Sequence, residues 1–367
     1  MKIERAVLRE VPLDLIEPFE TSHGTVRRRR VLLLTLHAEG LEAWAECVAG
    51  VEPSYTYETT ETAWHVLTEF VLPRLVGLEL DAPGSALEPF RWIRGHPMAL
   101  AAVEMAAWDL AARAANVPLA KLLGGERDSV PVGVSIGLKS SIAALEDRVA
   151  RALAEGYARV KLKIEPGRDV ETLARVRERF PDASLMADAN SAYTLDDVER
   201  LGMLDALDLE MIEQPFAHDD FLDHARLQER IRTPVCLDES IGSERDARLA
   251  LALHSCRVVN LKPGRVGGLT AGKRIHDMMV AAGVPVWCGG MLESGVGRAH
   301  NLALASLPGF TLPGDISASR RYWERDIVAP ELEVAGGLMA VPTGTGIGVE
   351  VDAERVEALS VRVASYP

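Results

Sequence analysis

The chain has 367 residues, long enough for a sizeable core and more than one ordinary domain. A formal net charge of −14 sets it against nucleic acid and anionic membrane surfaces, which would repel it. Its four cysteines (Cys47, Cys236, Cys256 and Cys288) show no CxxC spacing, so neither a disulfide framework nor a zinc motif is expected, and a reducing cytoplasm is the expected location.

The N-terminus, MKIERAVLREVPLDL, is broken by charges and does not read as a secretory signal. Lys2–Val11, Val31–Leu36 and Leu41–Val48 read as strands, with a turn at Ala38-Glu39-Gly40. The basic run Arg27–Arg30 reads as a solvated turn or strand edge. Thr56–Leu75 and Pro97–Ala115 have helical periodicity; within 98–117, Glu104, Asp109 and Arg113 exclude a membrane span. Strands followed by helices predict a small α+β domain over 1–125, ending near the polar, glycine-rich stretch Gly124–Asp128.

A strict alternation follows. Val130–Ser135, Arg159–Ile164, Ser184–Ala187, Leu209–Ile212, Val235–Leu237, Val258–Leu261 and Val284–Trp287 read as strands. Ser141–Glu155, Val170–Arg179, Leu195–Leu204 and Leu269–Ala282 read as helices between them, with Gly156 and Gly283 at expected C-caps. Strands this apolar imply a parallel sheet, and the regular repeat favours an α/β barrel of TIM type over 126–325. The tail, 326–367, returns to strand-like sequence and is expected to pack back on the first domain.

Five charges sit at the ends of successive apolar runs: Lys163, Asp188, Glu213, Asp238 and Lys262, separated by 25, 25, 25 and 24 residues. In a barrel these are the strand ends that build an active site. One such acid alone usually caps a helix or pairs with a base. Three pointed at one centre repel unless a cation or protons neutralise them, and carboxylates without His or Cys suit Mg²⁺ or Mn²⁺. Strand alternation puts Lys161 beside Lys163 and Asn190 beside Asp188 on one side. Register favours Asp238 over its neighbour Glu239 as the ligand. Lys262 falls across the barrel from Lys163, and a nearby cation gives it reason for a lowered pKa and a role as base. The glycines after Lys262 (GRVGG) lack the spacing of a phosphate loop.

The motifs KLKIEPG, DAN, IEQP, LDES, NLKPGRVGG and VWCGGMLESG, in this order, resemble the enolase superfamily in its muconate-lactonizing-like branch. Within it the chain is similar to the o-succinylbenzoate synthase / N-succinylamino acid racemase (N-acylamino acid racemase) family, and PFETSHGT and PGDISASRRYWERDI extend the likeness over the whole chain. The resemblance implies a modified (β/α)7β barrel covered by an α+β capping domain. It implies a divalent metal, Mg²⁺ first with Mn²⁺ or Co²⁺ as alternatives, on Asp188, Glu213 and Asp238. Lys163 and Lys262 would be the acid/base pair, Lys161 would support the substrate carboxylate and Asn190 the metal shell. Ser135, Met291 and Glu293 lie at other strand ends, where pocket lining and plain packing both remain open. A loop over 19–26 and a segment around Tyr55 would close over the substrate.

The implied activity is proton abstraction beside a carboxylate. It would racemise N-acyl- or N-succinylamino acids, dehydrate the cyclohexadiene precursor of o-succinylbenzoate as in menaquinone biosynthesis, or do both. A dipeptide epimerase or cycloisomerase of the same branch is the alternative. A metal-binding barrel without catalysis is a third reading, and two retained lysines argue against it. The expected partner is a small carboxylate, with no nucleic acid or membrane, in a homo-oligomer, up to an octamer by family likeness.

Overall fold

The computed structural model describes residues 1–21 and 24–367. Strands β1 (Arg5–Thr21), β2 (Gly24–Ala38) and β3 (Leu41–Cys47) form an antiparallel meander, and the C-terminal strand Arg362–Tyr366 pairs with β1 at its edge. The tail thus returns to the first domain. One face of this sheet carries Leu32, Leu34, Leu36, Ala43 and Ala45 in the core, against the helix Pro97–Ala114. The expected helix 56–75 is broken. Thr60–Val66 is helical, Leu67–Val71 widens into a π turn and Leu72–Leu75 resumes, because Pro73 has no N–H to give the carbonyl four residues back.

The expected strand 130–135 is two strands. β4 (Ser129–Pro131) joins an antiparallel sheet with Leu338–Ala340, and β5 (Val134–Ile136) opens the barrel. β6 (Val160–Lys163), β7 (Leu185–Asp188), β8 (Ile212–Glu213), β9 (Val235–Leu237), β10 (Val258–Leu261) and β11 (Val286–Cys288) follow, all parallel and paired in chain order. The segment 310–315 takes the eighth position. Phe310 bridges Val286 and Gly314 bridges Val132, while Asp315 N donates to Cys288 O at 2.9 Å and Gly133 N to Gly314 O at 2.6 Å. The ring is therefore seven βα units and a closing segment.

Period-two alternation layers the barrel interior. Met186, Met211, Cys236, Val258 and Trp287 pack as their own apolar cluster. Two residues on from the first three stand Asp188, Glu213 and Asp238, and four on from Val258 stands Lys262. The charged ladder rests on an apolar floor, where charge interactions are poorly screened.

Candidate active site

A cavity of about 520 Å³ opens above that floor, within the usual range for small-molecule sites. Lys161, Lys163, Asp188, Asp238 and Lys262 line it, with Ser135, Asn190, Met291 and Tyr55. Glu213 is fully buried beneath, where Lys161 Nζ reaches its Oε2 at 3.0 Å and Asn260 Nδ2 its Oε1 at 2.8 Å.

Lys163 Nζ donates to Asp188 Oδ2 at 2.6 Å and to Asn190 Oδ1 at 2.5 Å. On the far side Lys262 Nζ donates to Asp238 Oδ2 at 2.8 Å and to Tyr55 Oη at 2.9 Å. The ladder follows the strand order, so β7, β8 and β9 separate the two lysine strands. In a ring of eight positions, the second and the sixth are opposed.

Burial would push every carboxyl here up, and the nearest charges decide the outcome. For Asp188, burial is outweighed by Lys163 and Lys161, and the carboxyl lies below its usual range. For Asp238, Lys262 and Arg265 outweigh burial in the same way. Glu213 is pushed up to about 8, by burial first and then by the charge of Asp188. Glu239 rises to about 7 through burial and the charges of Asp238 and Asp188. At Lys262, burial pulls the ammonium down, but Asp238 carries it above its ordinary value. Lys161 is likewise raised, with Asp315, Glu213 and Asp188 overcoming burial.

Among the described residues no three His, Cys, Asp or Glu side chains converge as a ready metal cage. Ammonium groups take the space between the carboxylates, Lys161 Nζ lying 3.1 Å from Asp188 and 3.0 Å from Glu213. The donor chemistry nevertheless fits a hard divalent cation. Three buried carboxylates stand on adjacent strand ends, and a fourth, Glu239, keeps Oε2 buried without a partner.

Most of the anticipated residues meet here. Ser135 keeps its hydroxyl buried and unpartnered on the cavity wall. Asn190 Nδ2 donates to Glu239 Oε1 at 2.9 Å. For Glu293 the packing alternative is what the contacts show: it is not among the cavity-lining residues, and its Oε1 accepts from Asn301 Nδ2 at 2.9 Å, binding its own loop to the following helix. The anticipated loop 19–26 is a hairpin tip, with Phe19 opposite Val26 and Glu20 opposite Thr25; Ser22 and His23 fall outside the described residues.

Two buried groups escaped the sequence reading. Arg265 binds Asp238 Oδ1 and donates to Tyr55 Oη at 2.8 Å, after the short turn Pro263–Val266 folds it back over the strand end. Its signal was the position three residues past Lys262, one helical turn on. Asp315 lies 2.6 Å from Lys161 Nζ and 3.4 Å from Arg159.

The chain is similar to known proteins along nearly its whole length. A family model described as "Enolase C-terminal domain-like" matches residues 144–356, and one for the "Mandelate racemase / muconate lactonizing enzyme, N-terminal domain" matches 3–124. An o-succinylbenzoate synthase of Geobacillus stearothermophilus is 51% identical over 97% of this chain and 96% of its own length. An N-succinylamino acid racemase of Thermus thermophilus is 51% identical over 98% of each chain. The crystal structure of an enolase-superfamily member from Listeria innocua, 44% identical, superposes with a TM-score of 0.96 and covers 100% of this chain and 99% of its own.

Proposed function

The chain belongs to the enolase superfamily, and from that premise we propose that it moves the proton alpha to a substrate carboxylate between two opposed lysines. The substrates assigned are N-acylamino acids, N-succinylamino acids above all, for racemisation, and the cyclohexadiene precursor of o-succinylbenzoate for dehydration. The observation that carries this is the placing of Lys163 and Lys262 four strand positions apart in a ring of eight, with three acids on the strands between.

Neutral Lys163 takes the α-proton from one face, and the Lys262 ammonium supplies a proton to the other; roles reverse for the opposite enantiomer. In the dehydration Lys163 takes the proton and then helps hydroxide leave as water, while Lys262 stays cationic beside the developing enolate. Lys161, fixed by Asp315 and Glu213, steadies the substrate carboxylate. Asp188, Glu213 and Asp238 would hold the divalent metal, assigned as Mg²⁺, with Asn190 and Glu239 around them. When bound it supplies positive charge that stabilises the carboxylate as electrons move into it.

The same reading assigns 1–125 and 326–367 to the cap and 126–325 to the barrel. It includes a cytoplasmic location and a homo-oligomer, up to an octamer, which light scattering would read. No helix among the described residues is long and apolar enough to cross a membrane.

In D₂O with Mg²⁺, N-succinyl-L-phenylalanine should racemise and gain deuterium at the α-carbon, and neither Lys163→Ala nor Lys262→Ala should racemise it. Wild-type racemisation rates in either variant would refute the two-base assignment. Preferential turnover of an L-Ala-L-Glu dipeptide would refute the substrate.

A further inference from the structure

The four arginines Arg27–Arg30 are not one basic patch. They lie within β2, where alternation sets Arg28 and Arg30 on one face and Arg27 and Arg29 on the other. The first face is neutralised: Arg28 grips both oxygens of Asp14 at 2.5 and 2.9 Å, and Arg30 grips Glu10 at 2.6 and 3.0 Å and also meets Glu61. Arg27, Arg28 and Arg29 all line the cavity, and of these Arg27 and Arg29 share the second face. Arg29 is 6% exposed, donates to the carbonyls of Val48 (3.0 Å) and Ala49 (3.4 Å), and keeps Nε buried without a partner. It makes no ion pair among the described residues, and burial holds it below its usual pKa, with Glu46 and Glu293 only partly offsetting.

Arg27 stands two residues nearer the hairpin tip, at the exposed mouth. It faces the four-residue irregularity of β1 between Asp14 and Phe19, and no acid or carbonyl among the described residues takes its donors. Glu52 and Glu58 also line the cavity, and among the described residues neither pairs with Arg27 or Arg29. The cavity therefore has two cationic regions. One is the lysine ladder at its floor, already engaged with carboxylates. The other is formed by Arg27 and Arg29, which make no ion pair among the described residues and share the cavity with apolar Phe19, Met291 and Leu292.

We propose that Arg27, backed by Arg29, is a specificity-determining anion site for a second substrate carboxylate, the terminal carboxylate of an acyl arm such as succinyl. This inference rests on the function proposed above. A guanidinium presents paired N–H donors that match a carboxylate, and the buried charge of Arg29 adds attraction that solvent screens little. An acyl arm bearing a carboxylate would place its reacting end on the ladder and its charged end on β2, and the two contacts together fix the α-carbon between the lysines.

The test compares N-succinyl-L-phenylalanine with its succinamoyl analogue, in which an amide replaces the terminal carboxylate at nearly the same size. Wild type should favour the acid by about tenfold in kcat/KM, mostly through KM, as a charge-assisted pair on a partly desolvated wall implies. Arg27→Met should bring that ratio close to one, and Arg27→Lys should keep part of it. A ratio unchanged in Arg27→Met, or an equal fall for both substrates, would overturn the assignment. Wild-type protein inert towards both would instead overturn the functional reading, and this inference with it.

Discussion

Lys161 Nζ lies 2.6 Å from Asp315 Oδ2, closer than it lies to Asp188 or Glu213. Asp315 comes from the segment that closes the barrel, so closure itself fixes the direction of this lysine. A cation on Asp188 and Glu213 would leave Asp315 as the partner of Lys161. Asp315→Asn keeps the shape and removes the charge. It should lower kcat/KM by about 10- to 100-fold and cost about 3 kcal/mol in urea unfolding, since Lys161 and Arg159 lose a buried counter-charge. Burial pushes the Asp315 carboxyl up, but Lys161 and Arg159 hold it below its usual range. Its stabilisation is therefore complete above the unfolded value and is lost as pH falls through the depressed folded one. The variant should lose less stability than wild type on acidification from pH 5 to 3; parallel losses would contradict this.

Opposed lysines make different predictions for exchange and for racemisation. With Lys262 replaced by Met, Lys163 still faces one side of the α-carbon. That variant should exchange the α-proton of one enantiomer with D₂O while forming none of the other, and Lys163→Met should show the mirror preference. NMR of each enantiomer in D₂O reads this directly. Exchange of both enantiomers by one variant would show that a group other than the replaced lysine serves its face, and would refute the two-base assignment.

The ladder was legible because two periods coincide in it. The βα repeat sets the charges about 25 residues apart, and the strand period sets each acid two residues beyond an apolar floor residue. Asp315 and Arg265 obey neither period. Asp315 lies on a closing segment without a regular strand pattern, and Arg265 reaches the site through a short turn. For Glu293, near another strand end, the sequence left lining and packing open, and its side chain turns to Asn301 on the next helix. The two strands within 130–135 were hidden because a continuous apolar run does not show where the chain changes sheets.

Mg²⁺ should raise the melting temperature of wild type by mass action, about 2.7 kcal/mol at a hundredfold excess over Kd. Chelation should remove the shift and the activity together. In Asp238→Asn and Glu213→Gln the shift should be absent at the same Mg²⁺ concentration. A full shift in either variant, followed by differential scanning fluorimetry, would remove that residue from the ligand set.

Glu104, on the capping-domain helix, caps a barrel helix. Its carboxylate accepts from Leu269 N at 2.7 Å and Thr270 N at 2.9 Å, at the start of the helix Leu269–Ala281. The residue in the cap position is Gly268, at φ +116°, which has no side chain to do this and no room for one beside Glu104. Burial pushes the Glu104 carboxyl up to about 6, although four hydrogen bonds oppose it. A folded value above the unfolded one means stability is greatest below the unfolded value and declines as pH rises through about 6. Glu104→Gln cannot ionise, and its amide presents N–H groups to N–H donors, at a cost of about 1–2 kcal/mol. Urea unfolding at pH 5, 6 and 7.5 should show the gap between wild type and Glu104→Gln narrowing as pH rises. A gap constant across that range would mean that Glu104 stays ionised throughout, and that the charge of the cap outweighs its burial.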